Sequence, residues 1–320
     1  MRSELALRDR LGGLLVRLDV GRERYAVPAG LYALGSPDAA APVVVTANYK
    51  LTFDVVRRAL AGRSLWLLVL ETHGINVWCA AGKGTFGTDE LVRRLQITRL
   101  DEIVSHRRLL LPIFGATGVC APEVKRRTGF APTFAAVRVT DLPHHLDHGG
   151  ETTALMRAPT FTVLERLTLT PVELVGGFKA ALPLFALVAI IGAFTGGSPV
   201  GGALYGVGAL ALAIIAGSFA TPILLPWIPG RSFAFKGALL GAVVTAAYLA
   251  TGDPTRHWHA IAAHLLLLVP VSSFAALGFT GCTPFTSPSG VKKEMRVALP
   301  LFLASVVLGA VAFGLGLGGA

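Results

Sequence analysis

Ionisable residues are spread so unevenly along this chain that the architecture of its second half is nearly decided before any motif is read. Residues 176–320 carry seven Lys+Arg and two Asp+Glu, against 22 and 17 in residues 1–175. Five apolar runs fill the charge-poor half, at about residues 178–194, 202–224, 235–251, 259–279 and 297–317. Each is close to the roughly 20 apolar residues a helix needs to cross the hydrocarbon core of a bilayer. A mean hydropathy of +0.62 with 15% charged residues excludes an ordinary soluble protein.

The short connections between these runs predict their orientation. Lys179 precedes the first run; Arg231 and Lys236 flank the second connection; Lys292, Lys293 and Arg296 lie in the fourth. The first connection, residues 196–201, is uncharged, and in the third Arg256 is offset by Asp253. Positive residues in alternate connections place the N-terminus inside and the C-terminus outside the cytoplasmic (inner) membrane. Residues 1–19 mix Arg with Glu and Asp and show no signal peptide, so the front half is expected in the cytoplasm. The runs hold almost no ionisable residue apart from His264, which favours an anchor over a transporter. Gly202-x-x-x-Gly206 and Gly314-x-x-x-Gly318 would let helices pack closely.

The front half reads differently. Short apolar runs at residues 43–46, 65–70, 109–114 and 134–139 alternate with helical patterns at 48–60, 88–95 (capped by Thr88) and 121–127. That alternation implies a parallel sheet with helices on its faces. Residues 14–20 alternate apolar and polar and pair with 24–34 as a hairpin; residues 151–173 form either a second hairpin or a segment on the membrane surface. The expected fold class is an α/β Rossmann-like domain over residues 1–150, a linker over 151–175, and an all-α transmembrane domain of five helices over 176–320. The charge excess of the front half has no interleaved aromatics, which argues against nucleic-acid binding.

Chemistry is expected at Asn76-Val77-Trp78-Cys79-Ala80-Ala81-Gly82-Lys83. Asn76 is a helix N-cap and Gly84 a stop. The short helix they delimit follows a strand, at the sheet edge where open α/β folds bind ligands. Asn76, Cys79, Ala80 and Lys83 share one helical face, and the small Ala80, Ala81 and Gly82 leave room for a large flat ligand. Near a helix N-terminus, Cys79 is favoured as a thiolate, a soft ligand for a transition metal. The residues alone leave a buried structural cysteine equally open. The turns Thr46-Ala47-Asn48 and Gly115-Ala116-Thr117-Gly118 converge on the same edge, where Gly115 and Gly118 would let backbone approach a ligand. Plain helix capping by Thr46 and Asn48, and an ordinary tight turn at Gly115 and Gly118, account for those residues as well.

Asn76 to Lys83, continued by Gly84-Thr85-Phe86-Gly87-Thr88, resembles the cap-helix signature of the HgcA family, the membrane-anchored corrinoid proteins of microbial mercury methylation. The wider resemblance, over about residues 42–146, is to the corrinoid domain of the corrinoid iron-sulfur protein of acetyl-CoA metabolism. The resemblance implies a cobalamin-type corrinoid, base-off, contacted by Thr46, Asn48, Asn76 to Lys83, Gly115 and Gly118, with Cys79 as the lower axial ligand to cobalt. It implies an enzyme, a corrinoid-dependent methyltransferase that passes a methyl group to inorganic Hg(II). Hg(II) is an electrophile and takes the methyl as a carbanion or radical, a direction that a donating thiolate assists. Lys83 and Asn76 would orient the helix or touch the corrin's amide side chains, and Trp78 would be a packing anchor. The implied partners are a ferredoxin-like protein with iron-sulfur clusters (HgcB) as reductant and a methyl-folate-dependent methyl donor. The chain departs from the family pattern at Glu71 and His73, where Asp and Lys are frequent, and at Cys120, where a small residue is usual.

Two other readings stand beside this one: a corrinoid methyl carrier of one-carbon metabolism with a non-mercury acceptor, and a membrane receptor or transporter with a cytoplasmic regulatory domain. The three cysteines, Cys79, Cys120 and Cys282, are far apart with no CxxC, which argues against a disulfide framework and an iron-sulfur cluster of the chain's own. Cys120 and Cys282 read as structural or incidental. The run His144-His145-Leu146-Asp147-His148 carries imidazoles suited to Zn, Cu or Ni at a spacing that matches no ligand motif; a solvated helix end is the plainer reading.

Overall fold

A computed structural model of the protein describes residues 1–195, 198–251 and 257–318. The chain divides into two compact units, one of Met1–Val16 with Val20–Thr160 and one of Arg17–Asp19 with Phe161–Ala320. The first is an α/β domain built on a five-stranded sheet, and the second is helical with four or five long apolar helices.

The front unit runs α1 (Leu7–Arg17), β1 (Gly30–Leu34), β2 (Val43–Ala47), α2 (Lys50–Ala59), β3 (Leu65–Leu70), α3 (Val77–Lys83), α4 (Thr88–Thr98), α5 (Leu100–Ile103), β4 (Arg108–Leu111), α6 (Ala121–Thr128), β5 (Ala131–Phe134), α7 (Leu142–Asp147) and α8 (Ala154–Arg157). The sheet order is β1-β3-β2-β4-β5; β3, β2, β4 and β5 are parallel and β1 is an antiparallel edge. Every residue of β2 is buried, as expected of a strand covered on both faces. Alternate residues serve opposite layers. Val43, Val45, Leu68 and Leu70 pack with Val77, Ala80 and Ala81 of α3 and with Leu91 of α4. Val44, Leu65, Leu67 and Val69 pack with Phe53, Val56 and Leu60 on the other face.

Several expectations need correction. Residues 14–20 are not a strand: they close α1 and the bend after it, and β1 pairs with β3. The short alternation of 14–20 is also half of a 3.6-residue pattern that begins at Leu7. The strand expected at 109–114 stops at Leu111, because Pro112 follows. The strand expected at 134–139 is instead Ala131–Phe134. It contains Pro132, which is tolerated because β5 is the edge strand. Thr88 does not cap α4; Gly87 is at the N-cap, and Thr88 Oγ1 accepts from Cys120 N at 2.8 Å.

The second unit comprises α9 (Val163–Ala180), α10 (Leu182–Thr195), α11 (Pro199–Ile215), α12 (Thr221–Leu224), α13 (Phe233–Ala250), α14 (Trp258–Gly278) and α15 (Pro288–Gly318). A π-helical turn over Ala216–Ala220 joins α11 to α12. Residues 163–173 are helical rather than a hairpin; Thr162 and Glu165 form a capping box that starts α9. Among the described residues, four helices are long and apolar enough to cross a membrane: Pro199–Leu224, Phe233–Ala250, Trp258–Cys282 and Ser289–Gly316. The first expected span is instead part of a pair, α9 and α10, bent by 55°, which makes a fifth crossing only if the pair acts as one. Residues 196–197 of the first connection, and Asp253 and Arg256 of the third, lie outside the described residues.

Candidate functional site

Strand order places a switch point between β2 and β4. The chain leaves β2 for β3 on one side and later returns to β4 on the other, so the carboxyl ends of β2 and β4 open a crevice. A single residue pair, Val44 with Leu110, registers across β2 and β4. Beyond it lies a cavity of about 290 Å³, walled by Val45, Thr46, Val56, Leu111, Phe114, Ala135 and Val137 among others. That volume is at the low end of pockets that hold small ligands. Asn76, Val77 and Trp78, at the start of α3, also line it. Thr46 is 1% exposed, and its Oγ1 has no hydrogen-bond partner among the described residues. An unpaired buried hydroxyl costs about 1–3 kcal/mol, so this position carries a penalty that a bound polar group would relieve.

Helix α3 has the bounds expected of it. Asn76 Oδ1 accepts from Cys79 N at 2.9 Å, and Gly84, at φ 81°, ends the helix in a left-handed turn. Its faces are not those expected. Ala80 and Ala81 are buried in the hydrophobic layer, where their small size lets α3 pack closely against the sheet. The outward side is Cys79, half-buried, with Gly82 and Lys83 exposed. Cys79 is in no disulfide, and its Sγ has no hydrogen-bond partner among the described residues. Trp78 stacks on Phe114 with ring centroids 5.3 Å apart, which packs the helix start against the turn after β4.

The turn before α3 is tied down by Asn48, another role than capping α2, whose N-cap is Tyr49. Asn48 Oδ1 accepts from Thr72 N at 3.1 Å and Gly74 N at 3.0 Å, and Nδ2 donates to Glu71 Oε1 at 2.6 Å. Glu90 holds the same turn from the other side, accepting from Glu71 N at 2.8 Å and from Arg94 Nη2 at 2.7 Å. Burial pushes the Glu90 carboxyl up, but the Glu71 amide and the Arg94 and Arg93 guanidinium groups bring it below its ordinary value. Asn48 thus positions the site from beneath, a function that its place at a strand end did not disclose.

Gly115 and Gly118 are explained by internal contacts. A Cβ on Gly118 would lie 2.1 Å from Phe86 O and 3.1 Å from Ala81 Cα; one on Gly115 would lie 2.6 Å from Phe86 Cε1. Both glycines let this turn approach α3 and the loop after it. Phe86, fully buried between them, is a site-shaping residue the sequence reading passed over. The histidine run holds no metal cluster: among the described residues no group of three or more His, Cys, Asp or Glu could bind one. His145 is buried with Nδ1 2.9 Å from Glu151 O, while His144 and His148 stack on each other at the exposed end of α7. Cys120 is exposed at the start of α6, and Cys282 Sγ donates to Glu173 Oε1 at 3.1 Å.

With this geometry in hand, comparison with known proteins is informative. Residues 21–130 match the family model described as CO dehydrogenase/acetyl-CoA synthase delta subunit. The chain is 31% identical over 131 residues to the acetyl-CoA decarbonylase/synthase complex subunit gamma of Methanopyrus kandleri, covering 40% of this chain and 28% of that protein. It is 32% identical over 111 residues to the subunit of the same name from Methanocaldococcus jannaschii, covering 34% and 22%. Against that of Archaeoglobus fulgidus it is 34% identical over 93 residues, covering 28% and 20%. The chain therefore spans less than a third of the length of these relatives. The family match covers β1 to β4, α3 included, and begins before the residue 42 at which the resemblance was expected to start.

Proposed function

We propose that the front unit binds a corrinoid against the outward side of α3, with Cys79 as the lower axial ligand to cobalt, and that the chain transfers a methyl group to inorganic Hg(II), forming methylmercury. The observation that carries the reading is Cys79 itself: a half-buried thiol with no hydrogen-bond partner among the described residues, on a helix whose start lines the switch-point cavity. The similarity to acetyl-CoA decarbonylase/synthase gamma subunits over the same segment supports a one-carbon role. The orphaned Thr46 hydroxyl and the apolar cavity around it would suit an aromatic ring with a polar edge, such as the base of a corrinoid's nucleotide tail.

When bound, the corrinoid supplies a methyl group carried on cobalt. Cys79 contributes a strongly donating thiolate, a soft ligand suited to a transition metal. Hg(II), the substrate, is an electrophile, so the methyl must arrive with the electron pair of its bond or as a radical, and electron donation from Cys79 favours that direction. Asn76, by capping α3, and Asn48, by fixing the turn before it, hold Cys79 in place. Lys83 and Gly82 lie on the exposed side, where Lys83 would reach the cofactor's amide side chains. A ferredoxin-like partner with iron-sulfur clusters, the HgcB protein of the family, serves as reductant, and a methyl-folate-dependent donor supplies the methyl. The apolar helices anchor the chain in the cytoplasmic membrane with the front unit in the cytoplasm.

The full chain mixed with cobalamin tests the ligand. A sulfur-ligated, base-off spectrum that disappears in Cys79→Ala is expected; a bound corrinoid with the same spectrum in both would remove Cys79 from cobalt. Methylmercury formation in cells that also carry the partner tests the acceptor. No product from the intact chain would leave the second reading, a corrinoid methyl carrier of one-carbon metabolism, which the similarity to acetyl-CoA decarbonylase/synthase gamma subunits favours.

A further inference from the structure

Helix α1 is amphipathic in the reverse of the usual sense. Its polar side is packed and its apolar side is bare. Asp9 Oδ1 pairs with Lys50 Nζ at 2.6 Å and Asp9 Oδ2 with Arg57 Nη2 at 2.7 Å, so an ion-pair network fastens the helix to α2. Val16 and Gly13, on the same side, are buried. Leu7, Leu11, Leu14, Leu15 and Leu18 are all exposed, Leu7 at 72% and Leu14 at 54%. At 3.6 residues per turn these five leucines fall in one arc of about 100°. Elsewhere in the front unit, exposed large apolar residues such as Ile97 and Leu155 stand singly. A leucine arc of this kind, held outward by a salt-bridged inner side, marks an interaction surface.

Three observations choose its occupant. The arc is bordered by basic residues on both edges, Arg8 on one and Arg10 and Arg17 on the other by helical position. That arrangement lets apolar side chains enter an acyl layer while guanidinium groups stay among headgroups. Arg17–Asp19, which end α1 and follow it, belong by their packing to the apolar helical unit. Within that unit, Lys179 Nζ, near the end of α9, donates to Asp19 O at 2.7 Å and pairs with Asp19 Oδ2 at 3.0 Å. A protein partner would not need the two-sided arginine border.

We propose that α1 is an interfacial helix that lies in the plane of the membrane surface, with Leu7, Leu11, Leu14, Leu15 and Leu18 in the acyl boundary of a leaflet containing anionic phospholipid. This rests on the reading of the long apolar helices as membrane spans.

The test uses the full chain in nanodiscs of phosphatidylcholine and phosphatidylglycerol, with the photoreactive residue p-benzoylphenylalanine at one position at a time. The positions are Leu11 in α1, Leu303 in α15 as the membrane control, and Ile97 in α4 as an exposed apolar control. After irradiation, intact mass is expected to show phospholipid adducts at positions 11 and 303 and none at 97. Leu14→Glu with Leu18→Glu, which leaves Asp9 and Val16 in place, is expected to lower the adduct at position 11 several-fold without changing that at 303. Labelling at 303 but not at 11, equal labelling at 11 and 97, or a crosslink from 11 to a second copy or another polypeptide overturns the proposal. Failure at 303 overturns the membrane reading, and the proposal with it.

Discussion

In the second unit, the buried hydroxyls of Ser218, Thr221, Ser272, Ser273 and Thr280 each donate to a backbone carbonyl at 2.7 to 2.8 Å. In the front unit, Thr46 is buried to the same degree and donates to nothing among the described residues. The contrast separates polar atoms that hold a fold from one that the fold leaves unsatisfied. Ser272 and Ser273 cross from α14 to Gly237 and Ala234 of α13, where missing side chains let the two backbones close up. Close approach through glycine is common to both units, since Gly118 does the same for α3. The orphan hydroxyl is what sets the sheet edge apart.

The largest effect that would break this comparison is steric. Gly118→Ala puts a Cβ 2.1 Å from Phe86 O, a backbone atom that cannot rotate away. We expect a loss of about 3 kcal/mol, the upper end for overpacking. Gly241→Ala in α13 meets Ser272 Cβ at 2.6 Å, an atom that side-chain rotation cannot move, so α13 and α14 must part slightly; the overlap is smaller than at Gly118, and a smaller loss of about 2 kcal/mol is expected. Hydrogen exchange resolved by unit measures both. Equal losses would show that the two approaches are tight for the same reason.

Acid should separate the units next. The Asp9 carboxyl is lowered from 3.8 to about 2, chiefly by its hydrogen bond to Lys50, with Arg57 adding to it against the opposing effect of burial. Its folded pKa is below its unfolded one, so its contribution is fully present above about 3.8 and is lost as pH falls towards 2. That contribution is on the order of 2 kcal/mol. Five of the 19 acidic residues, Asp19, Glu165, Glu173, Asp253 and Glu294, fall in the second unit and the other 14 in the front unit, so acid should loosen α1 and α2 first. Asp9→Asn should flatten the acid limb of front-unit stability; an unchanged limb would remove the network from the account.

Asn48→Ala comes third. It deletes the acceptor of Thr72 N and Gly74 N and the donor to Glu71, at a cost of about 2 kcal/mol. Exchange protection across the turn before α3 should fall while that of β2 persists. A global loss instead would mean that Asn48 supports the sheet as a whole.

How far the sequence discloses this arrangement can be judged from the same residues. Local chemistry is legible: Asn76 and Gly84 bound α3, and the buried β2 and β3 announce themselves as apolar runs, because caps and continuous hydrophobicity act within a few residues. What lies across the fold is not. Gly118 is read as an approach for a ligand because Phe86, 32 positions earlier, is invisible as its neighbour. That Ala80 and Ala81 turn inward is not legible, because a seven-residue helix of small side chains has too little periodicity to show which face is buried. Residues 163–180 escape the helical reading because Pro171 interrupts the pattern, although the capping box at Thr162 and Glu165 was present to be read.

The smallest effect is also the most pointed, because it should change sign between the units. Ser272→Ala removes a buried hydrogen bond between α14 and Gly237 O of α13 and should destabilise the second unit by about 1 kcal/mol. Thr46→Val keeps the shape and removes a buried hydroxyl that makes no bond, so the ligand-free front unit should gain about 1 kcal/mol. The same substitution should weaken whatever occupies the cavity, read as a loss of ligand-induced stabilisation in the thermal unfolding of the full chain. Gain without ligand and loss with it would assign Thr46 to binding. A loss in both conditions would mean that the hydroxyl is satisfied in solution, and that the switch-point crevice keeps its polar atom for the fold, as α14 does.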